Sequence, residues 1–368
     1  MFVPLVVAAL LLASGVRAAQ DIAPTVPMRP SGPSVLVSIE PVRALYLTSG
    51  IAASERFDHF LDLLETTAVN ALVIDLKDAN GRLAFRPVTE AIRRIAPQRV
   101  TIRDLPERVD AIHRRGGLAI ARIAVFQDSW YAEAHRAEAL QLPGGAVWHD
   151  RLGYAWLDPA SPSVTQYAID LAHEAAAIGF DEVNFDYIRF PSEGPRFREI
   201  RYPRWNGKQK KHEVIRAFAR ALDAEVRGRG IRISADVFGQ VLWNRDDLGI
   251  GQQFEALAPS FDVIAPMVYP SHYRSGFLGK ANPAAHPYEI ILATLQRGGE
   301  RLAALPVEER PAIRPWLQDF NIGATYGTRE VVLQQRAGED SGAIGWMLWN
   351  PRGRYSEGAL RARNGSDS

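Results

Sequence analysis

The sequence predicts an α/β chain folded as one (β/α)8 TIM barrel, with aromatic-rich insertions at the C-terminal ends of its strands. Three observations carry that prediction. Short apolar runs alternate with longer amphipathic ones, the pattern of strand-helix units around a parallel sheet. Eight such units follow one another from residue 42 onward, which fits a closed barrel rather than an open sheet. No glycine-rich dinucleotide or phosphate loop follows the first strand, which argues against a doubly wound fold.

The first strand is expected over 42–48, and the first helix over 54–69, where Phe57, Phe60, Leu61 and Leu64 share one face. The second strand, 71–76, runs into the turn Lys77-Asp78-Ala79-Asn80-Gly81 and a short strand-like stretch, 82–86. A helix over 105–115 stops at Gly116-Gly117, and 118–126 is the third strand. Residues 127–160 interrupt the rhythm with Trp130, Tyr131, Trp148, Tyr154 and Trp156; long insertions in barrels usually lie on the functional face.

A helix over 163–179 opens after Ser161-Pro162, closes on Gly179 and delivers the fourth strand, within 180–191. The polar, basic insertion 192–211, with Tyr202 and Trp205, precedes a helix over 212–229. Strands five to eight are expected over 231–238, 261–269, 313–320 and 343–349. Helices fall between them, including 288–297, which Gly298-Gly299 should stop, and 328–336.

Residues 2–15 form an apolar run too short for a comfortable membrane span, followed by small residues at plausible cleavage positions in Val16-Arg17-Ala18-Ala19. Residues 1–18 are therefore expected to be a signal peptide, 19–41 a Pro-rich linker, and 42–368 the barrel. That organisation implies a secreted or periplasmic protein with no membrane span once the signal is removed.

The 368 residues are 47% hydrophobic and 23% charged, an ordinary globular composition. A formal net charge of +1 gives no overall electrostatic case for nucleic acid as a partner. The absence of cysteine excludes disulfides, thiolate metal sites and a cysteine nucleophile. Oligomeric state is not encoded in any pattern of the sequence.

The chain is organised around the stretch Phe180-Asp-Glu-Val-Asn-Phe-Asp-Tyr-Ile-Arg-Phe-Pro191, in which Asp186 is expected to be the chemical centre. Val183, Phe185 and Ile188 give it the character of a buried strand, yet Asn184, Asp186 and Arg189 have no packing reason to be there. Asp186 and Arg189 could simply form a structural ion pair, since such pairs are also common at strand ends. Other strand ends carry polar groups too: Asp75 and Lys77, Asp236, Tyr269 and His272, Gln318 and Asp319, and Trp349 with Asn350. All should face one pit at the barrel mouth.

Carboxylates gathered this way raise one another's proton affinity, so one can act as an acid while another stays ionised. Glycosidic bond cleavage needs that division of labour. Trp148, Trp156, Tyr269, Trp316, Trp346 and Trp349 could stack on sugar rings, although any one of them could equally be core. Asp75 with Lys77 could be only a salt bridge. Asp181 and Glu182 open their strand and should be solvated, Asp262 belongs to the opposite face, and Asp158 reads as a turn or cap. His272 lacks a second histidine at ligand spacing, so a loop or substrate contact is expected rather than a metal site. No metal or organic cofactor is required.

The segments Val73-Ile-Asp-Leu-Lys-Asp78, Asp181 to Pro191, Ser234-Ala-Asp-Val-Phe-Gly239 and Ala265-Pro-Met-Val-Tyr-Pro270 resemble a bacterial family of glycoside hydrolase-like (β/α)8 barrels, over roughly residues 42 to 355. The resemblance implies glycosidase activity on a polysaccharide or oligosaccharide. Many retaining barrel glycosidases are similar in placing an aspartate nucleophile at the end of strand four, where Asp186 stands, with Asp236 next along as acid/base. Asp75, Lys77, Asn184, Arg189, Tyr269, His272, Gln318, Asp319 and Trp349 would then bind substrate or tune the pair. The chain departs from the chitinase-like pattern, which ends strand four on a glutamate. The alternatives are a noncatalytic carbohydrate-binding barrel and, less well supported, a phosphate-ester hydrolase using the basic stretch 201–211.

Overall fold

Strands buried on both faces are written as nearly continuous apolar runs, and Ala71-Leu-Val-Ile-Asp-Leu-Lys77, buried at every position, is one of them. The structure, a computed structural model, describes residues 41–361 apart from 88, 96–99 and 228–229. The signal segment 1–18 and nearly all of the linker 19–41 lie outside these residues.

The strands are β1 (Val42–Leu47), β2 (Ala71–Lys77), β3 (Leu118–Ala124), β4 (Glu182–Asp186), β5 (Arg232–Phe238), β6 (Val263–Met267), β7 in two pieces (Ala312–Ile313 and Trp316–Gln318) and β8 (Gly345–Trp349). Each pairs in parallel with its sequence neighbours, and β8 returns to β1, closing the barrel. The break in β7 falls at Arg314-Pro315, where proline has no N–H for the ladder. The chain stays in line there: Arg314 donates its N–H to Ile264 O at 3.0 Å, and Pro315 O accepts from Met347 N–H at 2.9 Å.

Longer helices cover the outside: α1 (Arg56–Thr66), α2 (Leu105–Arg114), α3 (Pro162–Ile178), α4 (Lys211–Val226), α5 (Pro287–Ala303) and α6 (Thr328–Asp340). Between β5 and β6 stand only the short helix Phe254–Leu257 and two 3-10 turns, Gly239–Leu242 and Ala258–Ser260. Local signals set these ends. Ser161 caps α3 by accepting from Val164 N–H, Pro162 occupies its first turn, and Gly179 ends it at φ 107°, a left-handed value that suits glycine. None of the described helices is long and apolar enough to cross a membrane.

The expected stop at Gly298-Gly299 does not occur, because α5 runs on to Ala303. Gly298 is buried, and a Cβ on it would stand 2.6 Å from Leu242 Cδ2, so this glycine lets the helix approach its neighbour closely. Likewise α6 continues past Arg336 to Asp340.

Period two divides each strand between two cores. Leu45, Leu72, Ile74, Ala121, Phe185 and Leu348 pack outward under the helices. Val42, Ala44, Tyr46, Ala71, Val73, Ile120, Ala265, Trp316 and Met347 fill the interior. Glu182 belongs to the buried interior too and is not solvated as expected: Arg314 pairs with it, and Ser234 Oγ donates to its Oε1 at 2.6 Å.

Candidate active site

Above that buried pair the inward positions of β2 to β5 turn polar, and Arg122 on β3 is their hub. Register sets Arg122 opposite Asp75 on one side and Asn184 on the other. Its Nη1 donates to Asp75 Oδ1 at 2.6 Å and its Nη2 to Asp186 Oδ2. Asp75 Oδ2 accepts from the Tyr46 hydroxyl at 2.5 Å. Burial works against the charge on Arg122, but Asp186 and then Asp75 outweigh it and raise its proton affinity. Burial likewise lifts Asp75, with Arg122 and Tyr46 pulling the other way. Asp186 therefore pairs with Arg122, and no ion pair joins it to Arg189 among the described residues.

Asp236, on β5, is 1% exposed. Its Oδ1 accepts from Asn184 Nδ2 at 2.8 Å and Trp316 Nε1 at 2.7 Å, while Oδ2 accepts no hydrogen bond from the described residues. Burial first, and the nearby charge of Asp186 second, push Asp236 well above the usual carboxylate range, against Arg122, Asn184 and Trp316. Two carboxyl groups on neighbouring strands are thereby set apart: Asp186 is bound to a guanidinium, and Asp236 is buried with its proton affinity raised. Such a pair can in principle supply a proton donor beside a nucleophile or base.

The chain turns sharply after Asp186. Tyr187 has φ 54°, a left-handed conformation that costs a non-glycine residue about 1–2 kcal/mol, and its N–H donates to Asp186 Oδ1 at 2.6 Å. Burial pushes the Tyr187 phenol up to about 12, with Asp186 adding to it. Arg189 follows, its guanidinium 4.9 Å from the Trp156 ring, 4.8 Å from Phe238 and 5.4 Å from Tyr187. The Tyr269 phenol is kept protonated, chiefly by burial and then by Asp236 and Asp186. His272 lies edge-on to Tyr269, with centroids 5.1 Å apart, and partial burial lowers its proton affinity. Trp349 stacks on Tyr46 at 3.9 Å, beneath the Arg122 guanidinium.

Several sequence-predicted residues support this group rather than line it. A register shift between Asp75 and Lys77 re-aims Lys77, whose ammonium is fully buried against Asp128 at 2.7 Å rather than paired with Asp75. Asn184 is buried between Ser234 and Asp236. Gln318, also buried, accepts from Ser271 Oγ at 2.7 Å. Asp319 accepts from Ser356 N–H at 2.7 Å and Oγ at 2.9 Å, and so ties down the C-terminal segment; burial raises its proton affinity. Trp148 and Trp346 are buried in the outer core, and Trp156 joins them there with its face to Arg189. Asp158 caps the loop at Arg204 and Trp205, as expected of a turn residue.

Sequence reasoning missed Arg122 and Tyr46. Arg122 could have been found: in Leu118-Ala-Ile-Ala-Arg-Ile-Ala124, counting by twos from Ile120 puts a lone arginine on the barrel's inner face, where it needs a carboxylate. Among the described residues no group of three or more acidic or histidine side chains is arranged to hold a metal ion.

The sequence over residues 44–355 matches a family described as a putative glycosyl hydrolase domain. No curated protein matches the chain. Among solved structures it is similar to a hypothetical protein from Ruminiclostridium thermocellum ATCC 27405, with 31% identity, 56% of this chain and 98% of that one covered, and a TM-score of 0.47. It is also similar to the PgaB (BpsB) glycoside hydrolase domain from Bordetella bronchiseptica, with 15% identity, 88% and 100% coverage and a TM-score of 0.61. The α-galactosidase TtGalA from Thermus thermophilus matches at 14% identity, with 88% and 60% coverage and a TM-score of 0.54. The last two likenesses bear on the fold, a (β/α)8 barrel.

Proposed function

The chain belongs to the putative glycosyl hydrolase domain family, and from that membership we propose that it hydrolyses glycosidic bonds in an extracellular or cell-envelope polysaccharide, using Asp186 and Asp236. Family and fold support glycosidic bond hydrolysis in general. The choice of residues rests on one observation, a buried Asp236 held by Asn184 and Trp316 one strand along from an Asp186 that is ion-paired to Arg122.

Asp236 would give its proton to the leaving glycosidic oxygen as the bond to the anomeric carbon breaks. Asp186 would either attack that carbon or take a proton from the attacking water. Tyr269, whose hydroxyl keeps its proton, would donate to a sugar oxygen. The signal-like residues 1–18 support a secreted or periplasmic location for this work.

Reducing-end release by the purified protein across bacterial exopolysaccharides and α- and β-glucans tests the proposal. The expected result is release by the wild type that Asp186→Asn and Asp236→Asn each abolish. Binding without release, unchanged by Asp236→Asn, would overturn it in favour of a noncatalytic carbohydrate-binding barrel.

A further inference from the structure

The loop after β4 holds a positive charge that no described residue pairs with. Arg189 sits in a cage of three aromatic rings, Trp156, Phe238 and Tyr187. Its one hydrogen bond among the described residues runs from Nη1 to the carbonyl of Phe190 at 3.2 Å. No described carboxylate lies within ion-pairing reach of it. Burial accordingly lowers its proton affinity, and Tyr187 and Asp186 only partly offset this.

The carboxylates nearest in influence are Asp186, Asp150 and Glu193, and all are engaged elsewhere. Asp186 takes Arg122 and the Tyr187 N–H. Asp150 takes Gln127 Nε2 at 2.7 Å, Trp156 Nε1 at 2.9 Å and the N–H groups of Leu152 and Tyr154. Glu193 pairs with Arg151 at 3.3 Å. Nε and Nη2 of Arg189 are left without a partner among the described residues, three residues along the chain from Asp186. A planar guanidinium with an open fork is matched by a carboxylate, which two parallel N–H groups can clasp.

Further along the same loop, Arg198, Arg201 and Lys208 are exposed and make no ion pair with a described carboxylate, unlike Arg196, which Glu199 holds. They add a positive field beside the barrel mouth, although the chain as a whole is nearly neutral.

We propose that Arg189 binds a carboxylate carried by a sugar of the substrate, so that the polymer this site takes is an acidic, uronate-bearing polysaccharide. The proposal rests on the hydrolase reading of Asp186 and Asp236 for its link to turnover, but not for binding. The aromatic cage fixes the guanidinium in place, and the loop cations would draw the polyanion toward the mouth in a salt-dependent way.

Titration calorimetry of the wild-type chain with polygalacturonate, alginate and hyaluronate, each beside its carboxyl-reduced form, tests this without relying on any variant. The acidic form of at least one polymer should bind about 10- to 100-fold more tightly than its reduced form, the range expected for hydrogen bonds to a charged group. Arg189→Gln should erase that preference and Arg189→Lys should keep part of it. Equal affinity for acidic and reduced forms, no binding by any acidic polymer, or equally tight Arg189-dependent binding of dextran sulfate would overturn the carboxylate site. Reducing-end release is scored separately. Cleavage of neutral polymers alone would sink this inference and leave the hydrolase reading standing, whereas charge-selective binding without any cleavage would do the reverse.

Discussion

Arg122 on β3 reaches Asp186 on β4 with one guanidinium nitrogen while the other holds Asp75 on β2 at 2.6 Å, so a single buried side chain joins three adjacent strands. The Arg122 and Asp186 side chains are only 7% and 10% exposed, which makes the pair costly to break from one side. Arg122→Met would leave two buried carboxylates without their cation. It should cost about 3–5 kcal/mol in urea unfolding and abolish turnover. Arg122→Lys, a point charge unable to serve both carboxylates, should recover part of the stability and little of the activity.

Asp236 gives a pH dependence of a definite sign. Its folded proton affinity lies above that of an unfolded carboxyl, so the native state binds the extra proton. Stability from this group is present below the unfolded value, about 3.9. It declines as pH rises from there through the raised native value. Thermal unfolding from pH 3 upward should show this decline in the wild type and a flatter profile in Asp236→Asn. Turnover should fall on the alkaline side as Asp236 loses its proton. A wild-type profile parallel to that of Asp236→Asn would contradict the assignment.

The indole N–H of Trp316 tests the same group from the other direction. It donates to Asp236 Oδ1 at 2.7 Å and holds the proton affinity down, as Asn184 does. Trp316→Phe keeps most of the ring volume and removes the donor. The alkaline limb of the pH-rate profile should therefore move to higher pH, with a stability loss of about 1 kcal/mol.

Fold and site were not equally legible in the sequence, for physical reasons. Strand-helix alternation reports burial on both sheet faces directly, so every barrel strand was found, including β7, whose interruption at Pro315 did not hide its apolar ends. Strand-end carboxylates such as Asp186 and Asp236 stood out because charge in a buried run needs a reason. Their partners did not, because a pairing across strands depends on register: Arg122 lies 64 residues from Asp186 in sequence and next to it in space. Lys77, expected at the barrel mouth beside Asp75, is instead turned to Asp128 by a register shift that is invisible in sequence. Gly298-Gly299 reads as a helix stop in sequence because glycine serves both as breaker and as the residue of close approach, and only packing tells the two apart.

That packing makes Gly298 testable. A methyl group there would meet Leu242 at 2.6 Å and Ile313 Cδ1 at 3.3 Å inside the helix-barrel layer. Gly298→Ala should destabilise the protein by about 1–3 kcal/mol despite the better helix propensity of alanine. Adding Leu242→Ala makes room for the methyl group, so the double variant should lose less than the two single costs combined when followed by urea unfolding.

Below the site, Arg314 and Glu182 form an ion pair within the barrel, the arginine 0% exposed and the glutamate 2%. Nε and Nη1 of Arg314 have no hydrogen-bond partner among the described residues, so the pair is incompletely satisfied and adds little net stability. Removing one member is a different matter. Arg314→Met would strand a buried carboxylate and cost about 3–5 kcal/mol, while Glu182→Gln with Arg314→Met should cost much less. Ser234 carries the disturbance upward, since its hydroxyl donates to Glu182 Oε1 and accepts from Asn184, which in turn holds Asp236. The single variant should therefore lose turnover as well as stability. The double variant, whose glutamine oxygen can still accept from Ser234, should recover both, and recovery of stability alone would show that the network does not reach the acid.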